Sequence, residues 1–508
     1  MKSLKSATLN EELHIVNIES KFNRALPKIE IVGLASATIK EAATRVKSAI
    51  ASLGNFQFPP LEIVINLSPS DVKKDGSHFD LPIALLILMQ KIKFDDEFFV
   101  FGELGLDGKI KSNAELFSIL LFLSTKIKKA KILVPQDIAS KAAMIPNYEV
   151  FGVSNLQDAL NFFTDDEFAK SCQITSTHEI FDNFIEINGK KFVPNQNYEL
   201  DFLDIKGQQR AKRACMIAAC GFHNILFEGS PGCGKSMCAK RLRYVLPPQN
   251  LDEILLASAY KSLNSSSSDF SALRAFRSPH HTSTRSSIFG GGSSSAKIGE
   301  VALANGGILF FDELPHFGKQ ILESLREPLE DNKINISRVN SKISYDTKFI
   351  FIGAMNPCPC GKAFAKDMIC VCSNKDIERY KRAISHALLD RIDMYVAMSE
   401  VSVDDKPSIS SKQMHEMVLK GFEMQIKRGQ NDLNGKLSQN EVAKFCKLAT
   451  QDENILNQAI STYALSQRSI NKVLKVARTI ADLECKENIE KSHLIESLSY
   501  RMRNEKSI

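Results

Sequence analysis

The 508-residue sequence predicts an α/β protein in four stretches: an N-terminal α/β domain (1–165), a linker (166–200), a central phosphate-loop α/β domain (201–400) and a C-terminal helical region (401–508). Three observations predict it. Short apolar runs alternate with helical patterns in the first 165 residues, as in a sheet covered by helices. The segment GSPGCGKS (229–236) stands between an apolar strand and a helix. From 408 onward, capping signals and apolar residues at helical spacing recur without strand patterns.

In the N-terminal domain, IEIVGL (29–34) and LEIVINLSP (61–69) read as strands, and IKEAATRVKSAIASLG (39–54) as an amphipathic helix closed by Gly54. FDLPIALLILMQ (79–90) is apolar on every side and predicts a buried helix, and FFVFGELGLDGKIK (98–111) predicts a hairpin turning at Asp107-Gly108. ILV (132–134) and YEVFGV (148–153) add strands. Residues 164–200 lose periodicity and are polar, as expected of a connection.

The central segment carries the chemistry. GSPGCGKS fits G-x-x-x-x-G-K-[ST], with NILF (224–227) leading in and MCAKRLRYVL (237–246) leaving as a helix. Gly229, Gly232 and Gly234, with Ser230, Pro231 and Cys233 between them, let successive backbone N–H groups converge on phosphate oxygens at a helix N-terminus. Lys235 is placed for the β- and γ-phosphates and Ser236 for Mg²⁺. ILFFDE (308–313) ends an apolar strand in two carboxylates, Asp312 for the Mg²⁺ shell and Glu313 to orient the attacking water. ATP and Mg²⁺ are therefore the expected cofactors.

Other features leave choices open. Cys358, Cys360, Cys370 and Cys372 form CPC and CVC pairs nine residues apart. Four thiolates could hold Zn²⁺, although a one-residue spacing is tighter than the usual C-x₂-C, and packed reduced thiols are the alternative. His280 and His281 suit either metal ligation or local hydrogen bonding. KINISRVNSKISYDTKFIF (333–351) reads as a hairpin with Arg338 and Lys342 near its tip.

Composition sets limits. The chain has 44 % hydrophobic and 24 % charged residues and a net charge of +6, ordinary for a soluble globular protein. A nucleic-acid partner must therefore be argued from local placement of Lys and Arg. The longest apolar runs are too short to cross a bilayer, and the N-terminus lacks the apolar core of a signal peptide. Eleven cysteines, scattered except for that one cluster, suit a reducing compartment. A cytoplasmic protein without membrane partners is expected.

IVGLAS, KEAATRVKSAI, NLSPSDVKKDGSHFDLPIAL, GELGLDGKI and GEVALANGGILFFDEL together resemble the ComM/YifB family of magnesium-chelatase-related AAA+ proteins. The resemblance implies an N-terminal Lon-protease-like domain, an AAA+ core with a helix-2 insertion and pre-sensor hairpin, and a C-terminal helical lid. The serine expected of a Ser–Lys protease dyad is missing from DGSHFDLPIA (75–84); Ser77 with Lys73 or Lys74 are formal candidates only. By the same resemblance Gly207-Gln208 lies near adenine, and Asn356 in AMNP is the sensor of the attacking water or γ-phosphate. Arg391 in LLDRID is a finger into the neighbouring subunit's ATP, a local ion pair with Asp390 or Asp393 being the alternative. Arg468 is the lid residue sensing the γ-phosphate, with Arg478 as its alternative.

A finger arginine implies a homo-oligomer, a hexamer in this family. In such a ring, six copies of Arg338 and Lys342 would line the pore with about twelve positive charges, a track for a phosphate backbone. The family implies a DNA branch-migration helicase acting in natural transformation and homologous recombination, with single-stranded or branched DNA as partner. A chelatase-type or Lon-like protein-remodelling ATPase without DNA activity is the other reading.

Overall fold

The computed structural model describes residues 2–501 apart from 11, 55, 57, 93–96, 265–268, 292–297, 338–341, 365–368, 403 and 464. The chain forms two units, Met1–Asp182 with Ile254–Phe270, and Asn183–Glu253 with Ser271–Ile508.

The first unit opens with β1 (Lys2–Leu9) and β2 (Leu13–Asn23), an antiparallel pair in register from Lys2 opposite Ser20 to Leu9 opposite Leu13. There follow β3 (Lys28–Val32), α1 (Ala37–Ala51), β4 (Glu62–Ser68), α2 (Asp80–Leu88), β5 (Phe98–Val100), β6 (Glu103–Leu104), β7 (Ile110–Lys111) and α3 (Leu116–Lys126). The unit continues with β8 (Ala130–Pro135), α4 (Gln136–Ala143), β9 (Tyr148–Val153), α5 (Leu156–Thr164), α6 (Asp166–Ser171) and β10 (Gln173–Ile174). Eight strands form one mixed sheet in the order β10-β9-β8-β5-β1-β2-β4-β3.

Ser36 caps α1 through the Ile39 N–H, and Ile39, Ala42, Val46, Ala49 and Ile50 turn one stripe inward. Every residue of α2 is buried, as its unbroken apolar run requires; its Asp80 is accommodated by a two-pronged bond from Arg45, at 2.7 and 2.9 Å. Phe98–Val100 pairs with β1 and β8 in the main sheet, so the expected hairpin shrinks to β6–β7 around Asp107-Gly108. Residues 166–200, read as a connection, carry α6, β10 on the sheet edge, and the two strands that open the second unit.

Those are β11 (Ile185–Ile187) and β12 (Lys190–Val193). Next come α7 (Gln209–Gly221), β13 (Ile225–Gly229), α8 (Lys235–Leu242), β14 (Gln249–Asn250), and α9 (Leu251–Ser262), which leaves this unit after Glu253. The chain returns with β15 (Phe276–Arg277), α10 (Arg285–Phe289), α11 (Glu300–Leu303), β16 (Ile308–Phe311), α12 (Lys319–Ser324), α13 (Arg326–Asp331), β17 (Lys333–Ser337), β18 (Lys342–Asp346) and β19 (Ile350–Met355). It closes with α14 (Asn374–Arg382), α15 (His386–Leu389), β20 (Met394–Met398), α16 (Ser411–Lys427), α17 (Gln439–Phe445), α18 (Thr450–Tyr463), α19 (Gln467–Leu483) and α20 (Lys491–Ser499).

The principal sheet here is five-stranded and wholly parallel, in the order β15-β16-β19-β13-β20. Its inner strands β13, β16 and β19 are buried at every position, which is why they read as continuous apolar runs rather than alternating ones. β20 alternates buried and open positions, as suits an edge strand. The C-terminal helices begin at true capping boxes, Ser410 with Gln413 and Ser438 with Glu441.

Arg478 is 2 % exposed and lies inside this helical region. It donates to the carbonyls of Lys486 and Glu487, at 2.6 and 2.7 Å, and to Asp482, which also accepts from Arg428 and from Asn434 at 2.8 Å. Asp482 is thus the buried anion that two guanidinium groups share. Asp482→Ala should destabilise the protein by about 3 to 5 kcal/mol in urea unfolding, because it leaves buried cations uncompensated. An unchanged midpoint would refute that account.

Candidate functional site: the phosphate-loop cleft

Because all five strands run parallel, their C-terminal ends share one rim. β13 ends at Gly229, and the chain turns through Gly232 and Gly234, whose φ angles of 82° and 95° lie where side chains are disfavoured. Helix α8 then starts at Lys235, directing its N-terminal N–H groups at the turn. β16 delivers Asp312 and Glu313 to the same rim, and β19 delivers Asn356. A cleft of about 340 Å³ is lined by Pro231, Gly232, Gly234, Lys235, Ser236, Asp312, Glu313 and Asn356, among others.

Within the cleft, the Lys235 ammonium donates to the carbonyls of Gly229 (2.6 Å) and Ser230 (2.9 Å) and to Asn356 Oδ1 (3.1 Å). Ser236 Oγ donates to Asp312 Oδ2 at 2.8 Å, so two oxygen donors suited to a hard divalent cation lie side by side. The other Asp312 oxygen accepts the Glu313 N–H at 3.0 Å. Glu313 takes a left-handed conformation, φ 52°, uncommon for a residue with a side chain and characteristic of functional turns. Cys233 is buried, and burial raises its thiol pKa, which keeps it neutral beside the loop. Gln208 donates to the carbonyls of Cys233 (3.1 Å) and Ser399 (2.6 Å), tying the start of α7 to the phosphate loop.

The arginines lie elsewhere. Arg391 precedes β20, whose register with β13 runs from Met394 opposite Ile225 to Met398 opposite Gly229. It therefore sits at the N-terminal rim of the sheet, roughly 20 Å of strand from the phosphate loop. Its guanidinium donates to the Ala387 carbonyl at 2.6 Å and pairs with Glu330, and not with Asp390 or Asp393 as the alternative to a finger would have it. Asp393 is instead buried, accepting the Asn224 N–H at 2.7 Å. Arg468, at the start of α19, also pairs with Glu330 and reaches Asp390 at 3.4 Å. Glu330 thus gathers both arginines on one carboxylate. Arg478, by contrast, is locked in the helical core described above.

Other sequence candidates resolve individually. Arg338 lies outside the described residues, and Lys342 opens β18. His280 bonds Thr282 at 2.8 Å, and its ring lies 4.1 Å from that of His281. Ser77 and Lys74 do not pair: the buried Lys74 ammonium donates to the Gly33 and Pro69 carbonyls, while Ser77 donates to Glu103. Among the described residues, the one cluster of three or more His, Cys, Asp or Glu ligand atoms within mutual reach is Cys358, Cys360, Cys370 and Cys372.

Sequence reasoning missed Glu330 and Tyr380, whose hydroxyl accepts the Asn356 N–H at 3.3 Å. Neither carries a motif.

A parallel sheet with a phosphate loop, an acidic strand and a polar residue after the adjoining strand defines an AAA+-like nucleotide domain, followed here by a helical C-terminal region. Family comparison agrees: residues 201–406 match magnesium chelatase, subunit ChlI, residues 18–138 match subunit ChlI of Mg-chelatase, and residues 408–501 match the ChlI C-terminal region. Competence protein ComM of Haemophilus influenzae is 34 % identical over 97 % of this chain and 96 % of its own length. YifB of Escherichia coli is 34 % identical over 96 % of this chain and 94 % of its own. The chain belongs to the ComM/YifB family of magnesium-chelatase-like AAA+ proteins. Among the described residues, no helix is long and apolar enough to cross a membrane.

Proposed function

We propose that the protein is an ATP-hydrolysing, ring-forming motor that acts on DNA, and that its work is branch migration in natural transformation and recombination. The observation that carries the ATPase reading is the convergence of Lys235, Ser236, Asp312, Glu313 and Asn356 on one cleft at the rim where α8 begins. Lys235 is placed to exchange its carbonyl partners for β- and γ-phosphate oxygens. Ser236 and Asp312 would hold Mg²⁺, which supplies charge neutralisation on the phosphates. Glu313 accepts the proton of the attacking water, and Asn356 orients that water against the γ-phosphate. Gln208, bonded to the Cys233 carbonyl, would lie near the adenine.

Arg391 and Arg468 cannot reach this cleft from the opposite rim of their own sheet, so they serve the nucleotide of a neighbouring copy. Glu330 holds the pair together until that neighbour's phosphate competes for them. Assembly is thereby part of catalysis: each copy contributes a phosphate loop to one interface and two arginines to another.

The DNA reading rests on the family, on the similarity to a competence protein, and on the β17–β18 hairpin between the acidic strand and β19, where Arg338 falls between the two strands in sequence and Lys342 opens the second. The decisive experiment is ATP hydrolysis with and without single-stranded or forked DNA. Severalfold stimulation is expected, with Glu313→Gln lowering turnover by at least about 100-fold. Hydrolysis indifferent to DNA would instead favour a protein-remodelling ATPase of the chelatase type.

Two further outcomes follow from the same reading. Lys235→Ala and Arg391→Ala should each abolish turnover, yet a mixture should regain activity, since about a quarter of interfaces in a randomly mixed ring pair intact halves. A mixture as inactive as its components would exclude action across the interface. The Arg338→Ala, Lys342→Ala double variant should weaken DNA binding and flatten its salt dependence while DNA-free hydrolysis persists. Wild-type DNA affinity in that variant would remove the hairpin from the DNA track.

A further inference from the structure

The four cysteines meet in a loop that begins two residues after Asn356. Cys358 Sγ lies 3.4 Å from Cys360 Sγ and 3.6 Å from Cys370 Sγ, and Cys360 and Cys370 are 3.6 Å apart. All four sulfurs lie within 4.8 Å of one another. A tetrahedral Zn²⁺ with sulfurs at about 2.3 Å has sulfur–sulfur edges of roughly 3.8 Å, whereas a disulfide draws two sulfurs to about 2.05 Å. The spacing is that of a shared ion and not of two bridges. The one-residue spacing within each pair is no obstacle, because the facing pair supplies the other two corners.

Cys358 is fully buried, while the other three are only partly covered, so one corner of the cluster is anchored in the protein.

That loop also touches the nucleotide cleft. Gly361 has φ +76°, and a Cβ there would lie 2.7 Å from Pro231 Cδ and 3.9 Å from Asn356 Cγ. The cysteine loop therefore packs directly on the phosphate loop, with room for no side chain between them. We propose that Cys358, Cys360, Cys370 and Cys372 bind one structural Zn²⁺, and that the ion holds Asn356 and Pro231 at the geometry the nucleotide cleft needs. The cysteines are positioning residues, acting through Asn356. The metal site stands on the cluster itself, while its link to turnover rests on the nucleotide reading above.

The test uses the full-length protein purified under reducing, zinc-replete conditions. Elemental analysis should find about one Zn²⁺ per chain, and Co²⁺ exchange should give the thiolate charge-transfer and tetrahedral d–d bands of a four-sulfur site. Both signals should vanish in the Cys370→Ser, Cys372→Ser double variant. Chelation of the wild-type metal should lower kcat about tenfold or more with a smaller change in KM, and added Zn²⁺ should restore it. Four freely alkylated thiols with negligible zinc and no cobalt spectrum would overturn the metal site. Full zinc whose removal leaves kcat unchanged would overturn the link to Asn356. A protein without ATPase activity would defeat the nucleotide reading but leave the zinc and cobalt measurements to decide the site.

Discussion

The contact on which the cleft depends is the parallel pairing of β13 with β19 on one side and β20 on the other. A parallel sheet places like ends of all its strands together, so one rim receives every loop that follows a strand. The phosphate loop after β13, the carboxylates after β16 and Asn356 after β19 become neighbours for that reason alone, although they are spread over more than a hundred residues of sequence. The same constraint puts residues that precede strands at the far rim. Arg391 comes before β20 and is kept from its own cleft by the direction of the strand it introduces.

Charge is handled differently at the two rims. In the cleft, Lys235 is satisfied by carbonyl dipoles and an amide, neutral partners that a phosphate oxygen can displace without leaving a second charge stranded. At the far rim, two guanidinium groups share the half-exposed carboxylate of Glu330. Arg391 is largely covered there and Arg468 about half exposed, so this pairing keeps more contact with water than the charges enclosed in the helical region. The buried Arg478–Asp482–Arg428 cluster lies at the other extreme, since desolvated charges that lose a partner are costly. Of the three arginines weighed for a role at the nucleotide, burial and partner choice separate Arg391 and Arg468, which share one half-exposed carboxylate, from the enclosed Arg478.

Much of the second unit was legible in the sequence because its chemistry demands fixed residues at fixed spacing. A phosphate loop needs glycines where φ is positive, and buried parallel strands must be apolar throughout, so GSPGCGKS and ILFFDE could be placed without coordinates. The hairpin β1–β2 escaped notice: its buried face includes Ser6 and Thr8, which break the apolar alternation that marks a strand. Glu330 was invisible for another reason. An acidic residue in a short helix looks solvated until chain folding brings Arg391 and Arg468 to it from 61 and 138 residues away. The cysteines were legible as candidates, but their one-residue spacing counted against a metal, and only the fold shows that all four sulfurs meet.

The segment Ile254–Phe270 has a consequence for how the chain can be divided. It lies between the phosphate loop and the acidic strand in sequence, yet belongs to the unit built from the first 182 residues, where Phe270 meets Phe181 ring to edge and Tyr260 meets Phe122. The backbone therefore passes between the units three times, and no single cut separates them. A fragment beginning at Asn183 would carry the apolar face of this segment with its partners removed. The protein is better regarded as two interleaved folding units than as modules joined end to end, and an evolutionary loss of either one would have to rebuild the other.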